Sequence, residues 1–559
     1  MGQHESSFVL AEGSGRVGDK GRATSQRAVA SSQHPTVTEA MLDVLAAGGT
    51  AADAVVAGSI VQAVVQQDMT NHTGTVTGLF YSAETDEISE LNSMGRIVPG
   101  LAAHHPVPGG KGLYSAAGSR GPMSVIPGFM PGMKAIHERF GTKDWGALVA
   151  PAAAAAREGH VVSSFEHLVM AQTVDLFLYT QSGREHFTAG GHLPQAGEVW
   201  AQPVLADTME ALAAEGPDHF ITGEWAQHFV ARAAQVGWSI ELDHLNWTPR
   251  WSDPATWTLG DFEVSQLSAP DRQAVYCAIV IGILDALDVT SLGHFTESPR
   301  AGYYMAHALR LAHLECGFIN DPAIFEDPSS TLMDPEFHAF LANKLRRSLP
   351  KIDLTEHIEL TRGKTALFAA GGASKQPAGS CELSVIDEHG NWAQMMNTLQ
   401  SGGIPGEVVD GVPMVGSHQI NALTSPISGW LTGGGGMRSI LSNTMVRRDG
   451  EVIMALGSPG NVHCTVPQVL ANVLLYGDDP HGAEERPRML PLADDYVLSV
   501  ESRVSPDYVR DLAQLGVLVN PLPAYDYHMG SYQACWRGTD STLHASTGPR
   551  REGAAGGLS

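Results

Sequence analysis

From Lys364 to Ser380 the chain reads KTALFAAGGASKQPAGS, a run of small residues in which no apolar period survives and which ends on a hydroxyl residue. Such a composition forms a linker or a flexible tail rather than a packed element. Directly after it, Glu382–Asp387 (ELSVID) and Trp392–Asn397 (WAQMMN) have strand character. They flank Glu388-His389-Gly390-Asn391, a turn in which Gly390 is placed for positive φ. A hairpin is therefore predicted to begin just after Ser380, with an unstructured approach in front of it.

The remaining sequence supplies a core for that hairpin. Glu39–Gln66 is Ala/Val-rich with a Gly48-Gly49 break, which predicts two packed helices. Leu148–Arg157 and Leu205–Ala214 carry helical periodicity, and Trp257–Leu267 alternates like a strand. Helices and strands interleave, no repeat of 20–50 residues recurs, and solenoids and propellers are excluded. Residues 1–28 form a polar leader expected to be disordered.

Charge and motif content narrow the function. With 34 Lys+Arg against 60 Asp+Glu the net charge is −26, and no block of five or six basic residues occurs. That balance repels nucleic-acid phosphates and anionic membranes, so neither is expected as a partner. The first residues lack the apolar segment of a signal peptide, no stretch is long enough to span a bilayer, and a cytoplasmic location is expected. Five scattered cysteines, Cys277, Cys316, Cys381, Cys464 and Cys535, indicate neither a disulfide framework nor a zinc site. Gly13-Ser14-Gly15-Arg16-Val17-Gly18 spells a dinucleotide fingerprint but opens no amphipathic helix, and Gly433–Gly436 lacks the Lys-Ser/Thr of a phosphate loop. The 24 histidines show no ligand spacing, so no metal and no cofactor are expected.

Ser380 is the residue with chemical promise. At the head of a strand behind a flexible tail, its Oγ could attack the Gly379 carbonyl, shift the acyl group from nitrogen to oxygen, and let water cleave the ester. The freed α-amine, with an ordinary pKa of about 7.7–8.0, could then serve as the base for its own hydroxyl. This is the layout an N-terminal nucleophile hydrolase needs. A plain Gly-Ser loop fits the same letters, and Cys381 is a rival nucleophile one residue on.

From about Val29 to Leu518 the chain resembles the gamma-glutamyltranspeptidases. The matching segments include Ala30-Ser31-Ser32-Gln33-His34-Pro35, Gly48-Gly49-Thr50-Ala51-Ala52-Asp53-Ala54, Pro127-Gly128, Gly216-Pro217-Asp218-His219-Phe220, Ser384-Val385-Ile386-Asp387 with Gly390-Asn391, and Gly457-Ser458-Pro459-Gly460. The resemblance implies an α+β fold, the four-layer αββα sandwich of autoprocessing N-terminal nucleophile hydrolases. It implies cleavage between Gly379 and Ser380 into a large subunit, 29–379 with the leader before it, and a small subunit, 380–559, which remain associated in one intertwined core. By the same register Ser380 takes the nucleophile's place, Thr398 and Gln400 contact its amine and the substrate, and the backbone N–H groups of Gly460 and Asn461 form the oxyanion hole.

The chain departs from the family where glutamate would be held. The carboxylate-clamping arginine falls on Gly95, with Arg96 beside it, and the paired serines fall on Ser439-Ile440. Matching Gln419 to the family pattern puts the acidic pair that binds the substrate ammonium on Asn421-Ala422. Arg96, Arg438 and Ser439 remain as substrate contacts. The resemblance thus implies a hydrolase or transferase acting on an amide or acyl group of a small amino-acid-like molecule, with an altered pocket, in specialised (antibiotic) metabolism. A carbon–carbon bond hydrolase of alkylproline biosynthesis, an ordinary gamma-glutamyl hydrolase or transpeptidase, and an unprocessed ligand-binding pseudoenzyme stay open beside it.

Overall fold

The computed structural model describes residues 7–97, 105–106, 125–172, 174–178, 180–235, 240–348, 379–398, 407–414, 430–431, 435–491 and 497–559. The tail from 364 to 378, Gln400, Gln419 and Asn421-Ala422 fall outside these residues.

Two antiparallel sheets lie face to face. The first has eight strands in the order Phe8–Leu10, Ala554–Leu558, Val29–Ser32, Cys381–Ile386, Trp392–Thr398, Thr75–Ser82, Glu87–Ser93 and Arg250–Ser252. The second has seven, in the order Ala255–Leu259, Phe262–Gln266, Thr444–Arg448, Glu451–Gly457, Gln533–Arg537, Leu543–Thr547 and Ala23–Ser25. Val29, Leu79, Trp392, Met396, Met445, Ala455 and Cys535 fill the space between them. The helices Pro35–Ala46, Ala51–Val65, Phe129–Phe140 and Trp145–Glu158 cover the outer face of the first sheet. Gln273–Ala286, Pro299–Glu315 and Val462–Leu470 cover the second. Helix, sheet, sheet, helix is the αββα order the sequence led us to expect.

Burial on both faces explains why the central strands read as nearly continuous apolar runs. In Cys381–Ile386 every residue is buried; Leu383 and Val385 face the helices, while Glu382 and Ser384 face the second sheet. The helix Ala51–Val65 comes close because Gly58 carries no side chain: a Cβ there would sit 2.7 Å from Leu383 Cδ2 and Met41 Cγ. A capping box between Thr50 and Asp53 starts that helix, and Asp387 accepts from its Ala51 N–H at 2.8 Å. The same Asp387 ties the hairpin turn by accepting from His389 and Asn391, with Gly390 at φ +82°.

Two expectations are corrected. From residue 7 on, the leader is ordered: Phe8 pairs with Leu558, Ala23–Ser25 pairs with Leu543–Thr547, and Lys20 is buried against the Gly548 and Arg551 carbonyls. Its polar letters are satisfied by strands from the far end of the chain. Trp257–Leu267 is not one strand but a hairpin of Ala255–Leu259 and Phe262–Gln266, turned at Gly260 with φ +55°. The alternation runs through the turn and hides it.

Candidate active site

Ser380 stands immediately before the strand Cys381–Ile386 of the first sheet and is 6% exposed. Its φ is +80°, a left-handed value that a side-chain-bearing residue adopts at a cost of order 1–3 kcal/mol. The strained torsion is about the Ser380 N–Cα bond, adjoining the Gly379–Ser380 peptide. Ser380 Oγ donates to Thr398 Oγ1 at 2.9 Å, from the last residue of the neighbouring strand Trp392–Thr398. Gly74 makes room for this strand end, since a Cβ there would collide with the Thr398 carbonyl.

The Gly379 carbonyl accepts from the Gly460 N–H at 3.0 Å. Gly460 lies in the turn between the strand Glu451–Gly457 and the helix Val462–Leu470, at φ +87°. Asn461 follows at the helix start with φ −79°, so the left-handed conformation in this pair falls on the glycine. The Asn461 side chain donates to the His528 carbonyl and fixes the turn. A backbone donor on the acyl oxygen, a hydroxyl beside it and a strained peptide between are the parts that acyl transfer requires. Cys381 is different. Strand alternation turns its thiol to the helical side, buried among Met69, Phe165 and Val169, and burial pushes it well above the ordinary thiol range.

The model of the gamma-glutamyltranspeptidases matches residues 37–558. The chain belongs to the gamma-glutamyltranspeptidase family. It is accordingly an enzyme of the hydrolase type, gamma-glutamyltransferase-like. A glutathione hydrolase-like proenzyme of Bacillus subtilis, YwrD, is 25% identical over 94% of this chain and 98% of its own length. The acylase ACY 1 proenzyme of a Pseudomonas species is 23% identical over 96% and 97%. In fold, a cephalosporin acylase from Bacillus halodurans superposes with a TM-score of 0.79 at 19% identity, covering 96% of this chain and 97% of that one.

The residues of this gamma-glutamyltranspeptidase-family chain that were expected to touch substrate are placed less simply. Arg438 is 4% exposed and donates from Nε to the Ile319 carbonyl at 2.7 Å and from Nη2 to the Gly317 carbonyl at 3.0 Å. Burial, with Arg272 adding to it, lowers its pKa to about 10, so it stays cationic at neutral pH. Ser439 Oγ donates to Asp271 Oδ2 at 2.6 Å, and its carbonyl accepts from the Arg272 N–H at 3.1 Å. Arg96 is exposed and bridges to the Gly436 backbone, beside Gly95 at φ +81°.

Three groups at or near Ser380 escaped the sequence. Arg551 Nη1 donates to the Ser380 carbonyl at 3.4 Å. Glu382, next to the nucleophile's neighbour, accepts from Ser442 Oγ and Gln394 Nε2, and burial pushes its pKa up to about 8. Asp68 lies on the connector before Thr75–Ser82. Arg550-Arg551 as a buried basic pair near the C-terminus was the one local signal for any of them. Among the described residues, no group of three or more His, Cys, Asp or Glu could hold a metal ion, and no helix is long and apolar enough to cross a membrane.

Proposed function

We propose that the chain is an autoprocessing N-terminal nucleophile hydrolase that cuts itself between Gly379 and Ser380 and then uses Ser380 on an amide or acyl group of a small amino-acid-like molecule. The observation that carries this reading is the Gly460 N–H on the Gly379 carbonyl, with Ser380 strained and its Oγ within 2.9 Å of Thr398. Attack by Oγ puts negative charge on an oxygen that already faces a donor, and the acyl shift relieves the left-handed φ. The new α-amine then takes the proton from its own hydroxyl, Thr398 orients that hydroxyl, and the Gly460 and Asn461 N–H groups receive the substrate oxyanion. Two similar proteins bear proenzyme in their names, which agrees with processing.

The substrate is not an ordinary gamma-glutamyl compound. Gly95 supplies no guanidinium, Asn421-Ala422 supply no carboxylate, and Arg438 and Ser439 are engaged with the protein itself. An acyl amide such as an acylated cephalosporin, or an amino acid of a specialised antibiotic pathway, suits such a pocket better. The test is a denaturing gel with mass spectrometry of the products. Two bands, the smaller starting at Ser380, support the reading; a single band near 59.3 kDa supports a ligand-binding pseudoenzyme, and a small subunit starting at Cys381 moves the nucleophile.

A further inference from the structure

Residues 66–74 join the helix Ala51–Val65 to the strand Thr75–Ser82 and pass the head of the nucleophile strand. Gln66 Oε1 is 3.5 Å from the Cys381 thiol, and Gly74 abuts the Thr398 carbonyl. Within this connector Asp68 is 4% exposed; its own backbone N–H is the one donor that acts on the carboxyl, and no other described residue donates to either oxygen. Buried carboxyls are almost always paired; burial, with Glu166 beside it, raises this one well above the ordinary carboxylate range, and what it lacks is a hydrogen-bonded cation that would hold it in the charged form.

Of the groups that act on Asp68, Arg551 is a cation that draws the acid toward its charged form, but it donates a hydrogen bond to neither oxygen. Glu166 and Glu552 are acids, Glu166 already held by His160 Nε2 at 3.0 Å and Glu552 accepting from the Phe165 N–H at 3.3 Å. Arg551 is near, but its Nη1 points to Gln33 Oε1 at 3.3 Å and to the Ser380 carbonyl at 3.4 Å. The Cys381 thiol is the remaining neighbour. Two of these groups touch the nucleophile: Arg551 binds its carbonyl and Cys381 is its next residue.

Processing itself makes the missing cation. The Ser380 Oγ bonds to the Gly379 carbonyl carbon, the Gly379–Ser380 C–N bond breaks, and the hydroxyl proton passes to nitrogen. Water then splits the ester, restoring the hydroxyl and leaving a Gly379 carboxylate and a Ser380 α-ammonium. We infer that Asp68 receives this ammonium and is a positioning residue that holds the Ser380 amine in the processed enzyme. The inference rests on the processing reading above. The intact chain carries an orphaned acid, and the cut chain pairs it.

The experiment compares processed wild type with Asp68→Asn. Cyanate carbamoylates only the neutral α-amine, so labelling of the small subunit's N-terminal peptide across pH, read by mass, titrates Ser380 directly. A carboxylate beside an ammonium favours the charged form, and its removal should lower the titration midpoint by about one pH unit or more. An unshifted midpoint overturns the inference, as does an unshifted midpoint with a raised KM for amine-bearing substrates, which would make Asp68 a substrate contact. If Asp68→Asn blocks processing, Ser380→Ala is compared with Ser380→Ala/Asp68→Asn: equal or higher Tm in the double variant supports an orphaned acid, and a clear fall overturns it. A wild-type chain that is never cut takes down both readings; a cut chain with an unshifted amine takes down only this one.

Discussion

The two ends of the proposed site, Ser380 with its neighbours and the pair Arg438-Ser439, use their polar groups in opposite ways. At the nucleophile end, Ser380, Thr398, Gly379 and Gly460 converge on one peptide bond, and the hydrogen bonds among them polarise it. At the clamp end, Arg438 and Ser439 are drawn away into the carbonyls of Gly317 and Ile319 and the carboxyl of Asp271. Ser380, Thr398, Arg438 and Ser439 are all buried and hydrogen-bonded. The difference is that one arrangement is completed by a reacting carbonyl and the other by the protein's own backbone, so reaction chemistry and substrate recognition can diverge independently within one fold.

The sharpest way to break the comparison is to remove the nucleophile. Ser380→Ala should abolish processing and leave a single chain near 59.3 kDa on a denaturing gel, while Cys381→Ala should still be cut. The asymmetry follows from strand alternation, which sends the two side chains to opposite faces of the sheet. Loss of processing in Cys381→Ala with an intact fold would reverse the assignment.

Next in size is the consequence of the missing clamp. A gamma-glutamyl anilide offers a carboxylate and an ammonium, each of which, on the proposed reading of the pocket, loses its partner residue at a cost of about 1.5–3 kcal/mol per charged hydrogen bond. Processed enzyme should turn it over with a kcat/KM roughly a hundredfold or more below that for its preferred acyl substrate. An acylated cephalosporin and a keto-acid-bearing amino acid are the comparison substrates. Anilide turnover at rates equal to theirs would mean that the clamp end still grips glutamate.

How far the sequence foresaw this contrast depends on distance along the chain. The hairpin after Ser380 lies on adjacent strands, so local pattern and turn chemistry were enough to place it, and the register of the family resemblance then put Thr398 eighteen residues on from Ser380. The helices around Gly48-Gly49 were legible for the same reason: an Ala/Val-rich run and a glycine break are local signals, and the structure adds the capping box of Thr50 and Asp53. Arg551 reaches Ser380 across 171 residues and Asp271 reaches Ser439 across 168, contacts that no period or motif encodes. The ordered leader belongs with these, since its strand partners lie at the opposite terminus. Letters that match a family's clamp therefore say where a side chain sits in the order of the chain, not which neighbour has claimed it.

Arg438→Ala probes that claim directly. Its bonds to Gly317 and Ile319 are charged hydrogen bonds in a buried setting, so their loss should cost about 3–6 kcal/mol and lower Tm clearly. In the fraction that stays folded, cleavage at Ser380 should proceed. An unchanged Tm with a raised KM would show instead that the guanidinium serves the substrate, and the two ends of the proposed site would then be alike.

The smallest effect is a slope with pH. Burial is the main cause that raises Asp271 from 3.8 to about 6, and the hydrogen bond from Ser439 opposes it. Between those two values the folded chain keeps a proton that the unfolded chain has released, so stability is highest at the acid end of the window, falls as pH rises through it, and is flat above. The shift of roughly two units corresponds to about 3 kcal/mol. Asp271→Asn, read by Tm from pH 4 to 7, should lose this part of the slope. Glu382, raised to about 8, and Glu90, raised to about 7, would still contribute a decline of the same sign that extends to higher pH. Ser439→Ala should do the reverse of Asp271→Asn: without its donated hydrogen bond the acid rises further and the declining window widens. If Ser439→Ala left the profile unchanged, the hydroxyl would not be bound to Asp271 in solution, and it would be free to meet a substrate as the family's serines do.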